Sequence, residues 1–332
     1  MNRKLQLKLL SLAPLLMFAL VVAIFSWKSN GAFIEPENLL NILTQSSAIG
    51  IVATGMTFVL LTAGVDLSVG SIMFVAVAVA GKMIYEEQSI WLSFLCALGV
   101  GLLAGGVNAF CIVRFRIVPF VVTLAMLFIG RGFGLWITNT RAMNMPDGVT
   151  QLGAQTWLGI PVPMIVLMVI CVLAQILLSK TPLGRQIYAL GKDIEAARKA
   201  GVPVAGILIL VYLICGFCAA LSGLVSLSQT GAVSPTFGNQ KEFMAIAAAV
   251  LGGTSLFGGR GNVLPGTLMG AVLIQTVQNG LVILNANPYI YPLVTSAIIF
   301  AAVLVDNVRG RILAKLERRL IRMEEHERIQ AS

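Results

Sequence analysis

Between positions 179 and 202 the chain reads SKTPLGRQIYALGKDIEAARKAGV. Five basic residues, Lys180, Arg185, Lys192, Arg198 and Lys199, stand there against two acids, Asp193 and Glu195. Uncharged apolar runs of spanning length flank this island at 161–178 and 203–225. Such runs call for a hydrocarbon solvent. The island must therefore lie at a membrane face, and its basic excess places that face in the cytoplasm. It also has internal order. Asp193 is placed to cap a short helix, with Glu195 and Ala196 in the first turn and Gly201 just past the end. The alternative is a plain charged loop. Segment 180–202 is thus expected to lie outside the lipid, open to a partner.

The rest of the composition agrees. Of 332 residues, 58% are hydrophobic and only 11% charged, about half the charged fraction of a soluble chain. The net charge of +9 is concentrated in the island and at the two ends, a pattern that sets topology and meets anionic headgroups. It does not point to nucleic acid, because no polar domain exists to carry a basic groove. Five cysteines fall in apolar runs. Cys215 and Cys218 have the spacing of half a metal site, but no second pair and no nearby histidine completes it. They read as small buried residues, and no metal site is expected. The single histidine, His326, lies in the charged tail.

Ten crossings result, with both termini in the cytoplasm. The first is an uncleaved span at 9–27 behind Arg3, Lys4 and Lys8. Further spans are expected at 41–63, 71–81, 90–113, 117–138, 160–178, 203–227, 242–256, 263–284 and 292–305, and 306–332 forms a charged cytoplasmic tail. Eighteen basic residues then fall inside, four outside (Lys28, Lys82, Arg141 and Lys241), and Arg131 within a span. Spans two to five and seven to ten each hold a Gly-rich break, which suggests an inverted repeat. The expected fold is all-α: a single transmembrane domain over 1–332.

Three groups of residues invite a functional reading. Asp66 sits in TAGVDLSVGS, where Gly64 and Gly70 allow a tight bend or close helix approach. Asp66 and Ser68 can cap the helix that follows; a proton relay is the alternative. Arg131, in the same span as Thr123, either snorkels outward or lines a pathway. Gln275 and Asn279 either recognise an uncharged polar substrate or bond between helices. The run Gly252-Gly253…Gly258-Gly259 lacks the order of a phosphate loop and reads as close packing before a membrane-face turn. Gly266 and Gly270 add a G-x-x-x-G spacing.

Four stretches together identify a family. They are Gly55-Met56-Thr57 running into 63–71; Phe120 through Arg131-Gly132; Thr181 to Arg185 with Tyr188-Ala189-Leu190-Gly191; and Ile246 through Gly261. With their spacing, the chain resembles the membrane permease of a bacterial ABC sugar importer of the ribose, xylose and arabinose class. The resemblance implies an inner-membrane homodimer or a pair of permease subunits, a cytoplasmic ABC ATPase and a periplasmic sugar-binding protein. It implies that the 184–201 region couples to that ATPase, giving roles to Gly184, Arg185, Tyr188, Gly191, Lys192, Glu195, Ala196 and Gly201. No Walker A motif is present, so ATP and magnesium belong to the partner, and this chain binds no cofactor and catalyses nothing. Ser46-Ser47-Ala48 departs from the ribose pattern and leaves the sugar open. An ion- or proton-coupled sugar carrier is the competing class.

Overall fold

The computed structural model describes residues 18–297, with 300 and 304. The expected tail at 306–332 and the start of the first span lie outside the described residues. Helices dominate: α1 (Phe18–Lys28), α2 (Pro36–Leu61), α3 (Val69–Tyr85), α4 (Ile90–Phe115) and α5 (Pro119–Thr138). Strand β1 (Met143–Asn144), α6 (Asp147–Ala154), β2 (Thr156–Trp157) and β3 (Ile160–Pro161) follow. Then come α7 (Val162–Lys180), α8 (Pro182–Lys192), α9 (Ile194–Lys199), α10 (Val204–Thr230), β4 (Ala232–Val233), α11 (Lys241–Leu251) and α12 (Leu268–Ile283).

Local chemistry fixes many of the ends. Proline opens α2, α5, α7 and α8, where its missing N–H costs nothing. Left-handed residues close α4 at Arg116, α5 at Asn139 and α10 at Gly231. Among the described residues, six stretches are long and apolar enough to span a membrane: α2, α4, α5, α7, α10 and Val263–Ile283. Two apolar helices are shorter, α1 and α3. At about 1.5 Å per residue, the 17 residues of α3 and the 11 of α11 fall short of a ~30 Å hydrocarbon core. The chain is therefore an all-α, multi-pass membrane protein.

The chain forms two compact units. In the unit built from 1–34 and 277–332, Phe25 stacks on Phe33 with centroids 5.5 Å apart. Gly280 lies on the Phe25 ring, where a Cβ would come within 2.5 Å of a ring carbon.

The larger unit, 35–276, is centred on α2 and α10. Of the most apolar window of α2, 83% is buried, against 22%, 22% and 28% for α4, α5 and α7. The outer helices instead turn large apolar side chains outward, such as Leu103, Phe128 and Leu173. That arrangement suits lipid rather than water. Small residues let the central backbones approach. Gly101 and Gly105 of α4 press against Gly216 of α10, and a Cβ at Gly55 of α2 would sit 2.7 Å from Cβ of Cys218 and 3.0 Å from Cα of Cys215. The two cysteines are thus small packing residues, as their surroundings in sequence suggest. Gly270 packs on the Ala248 carbonyl and Gly252 on Gly266, so the G-x-x-x-G spacing serves close packing.

The segment after α5 departs from a plain external loop. It carries α6, a β2–β3 hairpin, and β1 paired antiparallel with β4, Met143 facing Val233. This pairing ties the segment after α5 to the one after α10.

Candidate functional site

The polar island folds into two helices, not one. Thr181 opens α8: its Oγ accepts the Gly184 N–H at 3.3 Å, and Pro182 takes the first helical position. Gly184 is buried because a Cβ would overlap the Leu178 carbonyl. Asp193 caps α9, accepting the N–H groups of Glu195 and Ala196 at 2.9 and 3.0 Å. Gly201 follows with φ +80°, a conformation glycine adopts without strain. The Asp193 and Gly201 assignments from sequence therefore stand. The Thr181-Pro182 start was equally visible, and α8 could have been read from it.

Both faces of this pair are defined. Ile187, Leu190, Gly191 and Ala197 are buried, while Arg185, Lys192, Glu195 and Ala196 are exposed. Gly191 meets the end of α2, where a Cβ would overlap the Leu61 carbonyl and lie 2.6 Å from the Gly259 nitrogen. Gly259 N–H itself donates to Leu61 O at 3.0 Å. Tyr188 donates its hydroxyl to Gly261 O at 2.8 Å, and burial pushes its phenol above the ordinary value, so it stays a donor. From α7, the Gln175 side-chain oxygen accepts the N–H groups of Val263 and Leu264 at 3.1 and 3.0 Å. The island, the end of α2 and the glycine-rich turn thus form one interlocked surface. Within that turn Gly253, Gly258 and Gly259 have positive φ, and Gly252 is the tight-packing member.

The α2–α3 turn is a second polar centre. Asp66 and Ser68 are fully buried. One Asp66 carboxylate oxygen accepts the Ser68 N–H at 2.9 Å and the Ser68 hydroxyl at 2.5 Å. Asn108 of α4 donates to the Ser68 hydroxyl at 2.8 Å, and Thr123 of α5 donates to Val65 O at 3.3 Å. Among the described residues the other Asp66 oxygen, beside the Cys215 thiol, and the buried Tyr212 hydroxyl make no well-formed hydrogen bond. Two expectations are refined here. Ser68 makes no side-chain cap to α3; it serves Asp66 instead. The left-handed residue of the turn is Ala63, φ +60°, whereas Gly64 and Gly70 act through close approach. Thr123 is buried and tied to the α2–α3 turn by its bond to Val65 O.

Arg131 heads a third cluster. Its guanidinium donates to Phe237 O at 2.5 Å and lies 5.6 Å from the Phe74 ring centroid. Gly70 is wedged between Glu242, the Gly238 carbonyl and Arg131, so a Cβ there would overlap both of the first two. Glu242 is buried with one carboxylate oxygen unpartnered. It was not legible as a site, because only the fold brings α11 to α3 and α5. Gln275 donates to the Gln45 side chain of α2 at 2.7 Å, an interhelix bond, while Asn279 belongs to the smaller unit. Among the described residues no acidic, histidine or cysteine cluster could hold a metal.

Comparison with known proteins places this architecture. Residues 38–303 match the family described as branched-chain amino acid transport system / permease component. The chain is 38% identical to the ribose import permease protein of Haemophilus influenzae, over 85% of this chain and 88% of that one. It is 38% identical to the Bacillus subtilis ribose import permease protein, over 90% and 93%, and 35% identical to the D-allose transport system permease protein of Escherichia coli, over 87% and 89%. No solved structure matches. The chain belongs to this permease-component family of ABC-type import systems, and it is a membrane transport subunit rather than an enzyme.

Proposed function

We propose that the chain is the membrane permease of an ATP-driven importer for a monosaccharide, ribose or a related simple sugar, in the bacterial inner membrane. The relatives named for ribose and allose support the substrate class. The observation that carries the mechanism is the seating of α8–α9 on Leu61, Gly259 and Gly261. Force on the exposed face of α8–α9 reaches the end of α2 and the turn before α12 without an intervening flexible segment. The basic excess reads this end as cytoplasmic, with ten crossings and both termini inside. A separate ATPase bearing ATP and magnesium docks there, a periplasmic binding protein docks opposite, and a second permease subunit, in a homodimer, completes the path.

The order of elements supports reading the chain as an inverted repeat. α2 and α10 are the two long central helices. Each is followed by an irregular stretch, 62–68 or 231–240, and then by a short helix, α3 or α11. Gly70 and Gly238 press together where α3 begins and α11 is about to begin. Broken helices meeting between repeats are where transporters pass their substrates. Arg131 and Glu242 flank that meeting point, and we assign them to the pathway. Alternating access then requires that nucleotide and sugar each bind one state better than the other. The test is uptake of labelled monosaccharides by the reconstituted complex, with ATP and binding protein each omitted in turn. Accumulation that needs both supports the assignment; accumulation indifferent to either removes it.

A further inference from the structure

At the end that carries α8 and α9, two cavities share a wall. One of about 650 Å³ lies between the α4–α5 turn and the junction of α9 with α10. The other, of about 500 Å³, runs along α4 and α10. Val113 and Arg116 line both. Three guanidinium groups border the two cavities: Arg114, Arg116 and Arg198. Among the described residues no acid pairs with Arg114 or Arg116, and Arg198 is held only by Glu195 in an exposed pair, a weak tie. The first turn of α10 also lines the larger cavity, through Val204, Ala205 and Gly206. The Val204 N–H donates to Val202 O at 2.8 Å, which leaves the Ala205 and Gly206 amides without a helical acceptor, and the helix dipole favours an anion there. At the inner end lies the fully buried Tyr212, its hydroxyl unpartnered.

Part of the remaining lining is apolar and outward-facing. Phe110 and Val118 are 56% and 63% exposed, beside Val113 and Ile209. A free phosphate would leave these walls bare, whereas an acyl chain covers them at a gain proportional to the area buried. We propose that the two adjoining cavities together bind one anionic phospholipid, which passes over Val113 and Arg116 from one to the other. Its phosphate sits among Arg116, Arg198 and the Ala205 and Gly206 amides of α10, and a chain lies along Phe110, Val113 and Ile209. The lipid would bridge α9, the α4–α5 turn and the α2–α3 turn, making the coupling helix sensitive to lipid charge. This rests on reading that end as a membrane–cytoplasm boundary, but not on the identity of the sugar.

The test uses the full-length permease in phosphatidylcholine nanodiscs carrying a trace of photoactivatable phosphatidylglycerol, with labelled peptides mapped by mass spectrometry. Label is expected within 110–119 and 198–209, displaced by unlabelled phosphatidylglycerol and not by more phosphatidylcholine. Arg116→Gln and Arg198→Gln should each weaken retention about fivefold, as expected for one basic residue at an anionic surface. The wild-type map decides the matter even if a variant fails to fold. Label spread elsewhere, or equal displacement by phosphatidylcholine, overturns the site. Complete displacement by millimolar inorganic phosphate also overturns it, by reassigning the pocket to a free anion. Sugar uptake that fails while the lipid maps here would contradict the transport assignment alone.

Discussion

Replacing Gly191 by alanine attacks the joint between α8–α9, the proposed coupling helices, and the transmembrane core. The new Cβ would overlap the Leu61 carbonyl and lie 2.6 Å from the Gly259 nitrogen. Both neighbours are backbone, so neither can swing aside and α8 must move. Overpacking of this kind costs about 1–3 kcal/mol. Displacing α8 also loosens the buried Ile187 and Leu190 and strains the Gly259–Leu61 hydrogen bond, a bond worth about 1 kcal/mol. A net cost of about 2–3 kcal/mol lowers the seated-to-unseated ratio of α8 by roughly 30- to 150-fold. The α2–α4–α10 core makes its contacts elsewhere and should keep its stability. The assay is a reconstituted complex of permease, ATPase and binding protein, measuring ATP hydrolysed per sugar accumulated. The Gly191→Ala complex should hydrolyse ATP with little accumulation, or lose the ATPase on purification. Gly99→Ala is the control, since nothing lies within 4 Å of a Cβ there. An unchanged ratio in Gly191→Ala, with the ATPase retained, would refute the proposed transmission.

Three other outcomes follow from the site geometry. Asp66→Asn keeps an acceptor for the Ser68 N–H and hydroxyl, whereas Asp66→Leu orphans both at about 1–3 kcal/mol each; Asn should retain more uptake at equal membrane abundance, and equal inactivity of two folded variants would show that the charge itself is needed. Arg131→Met leaves Phe237 O without its donor and Glu242 without its nearby cation, so uptake should fall at least tenfold while ATPase copurification is unaffected; normal uptake would remove Arg131 from the pathway. Single cysteines at Lys192 and Asp147 should react with an impermeant thiol reagent from opposite sides, Lys192→Cys from the cytoplasm; external labelling there would invert the topology.

Local chemistry made much of this molecule readable in advance. Uncharged runs demanded helices, and the Asp193 and Gly201 ends of α9 carried their own capping signals. The placement of Cys215 and Cys218 in an apolar run already argued for packing, which the contact with Gly55 explains. What could not be read was set by distant partners. Glu242 acquires its place only when α11 approaches Gly70. The left-handed conformation falls on Ala63 rather than Gly64, because the end of α2 must turn against Gly258 and Gly191. Gln275 was ambiguous until Gln45 was seen opposite it. The β1–β4 link joins segments far apart in sequence, and two residues a side are too few to leave a periodicity.

The sidedness of energy coupling tests the whole account most directly. In vesicles of known orientation, ATP and its ATPase are supplied only on the face that bears α8 and α9, and labelled sugar with binding protein only on the other. The account predicts accumulation on the ATP side, abolished when ATP is moved across or withheld. Accumulation driven by a proton gradient without ATP, or by ATP on the opposite face, would contradict it.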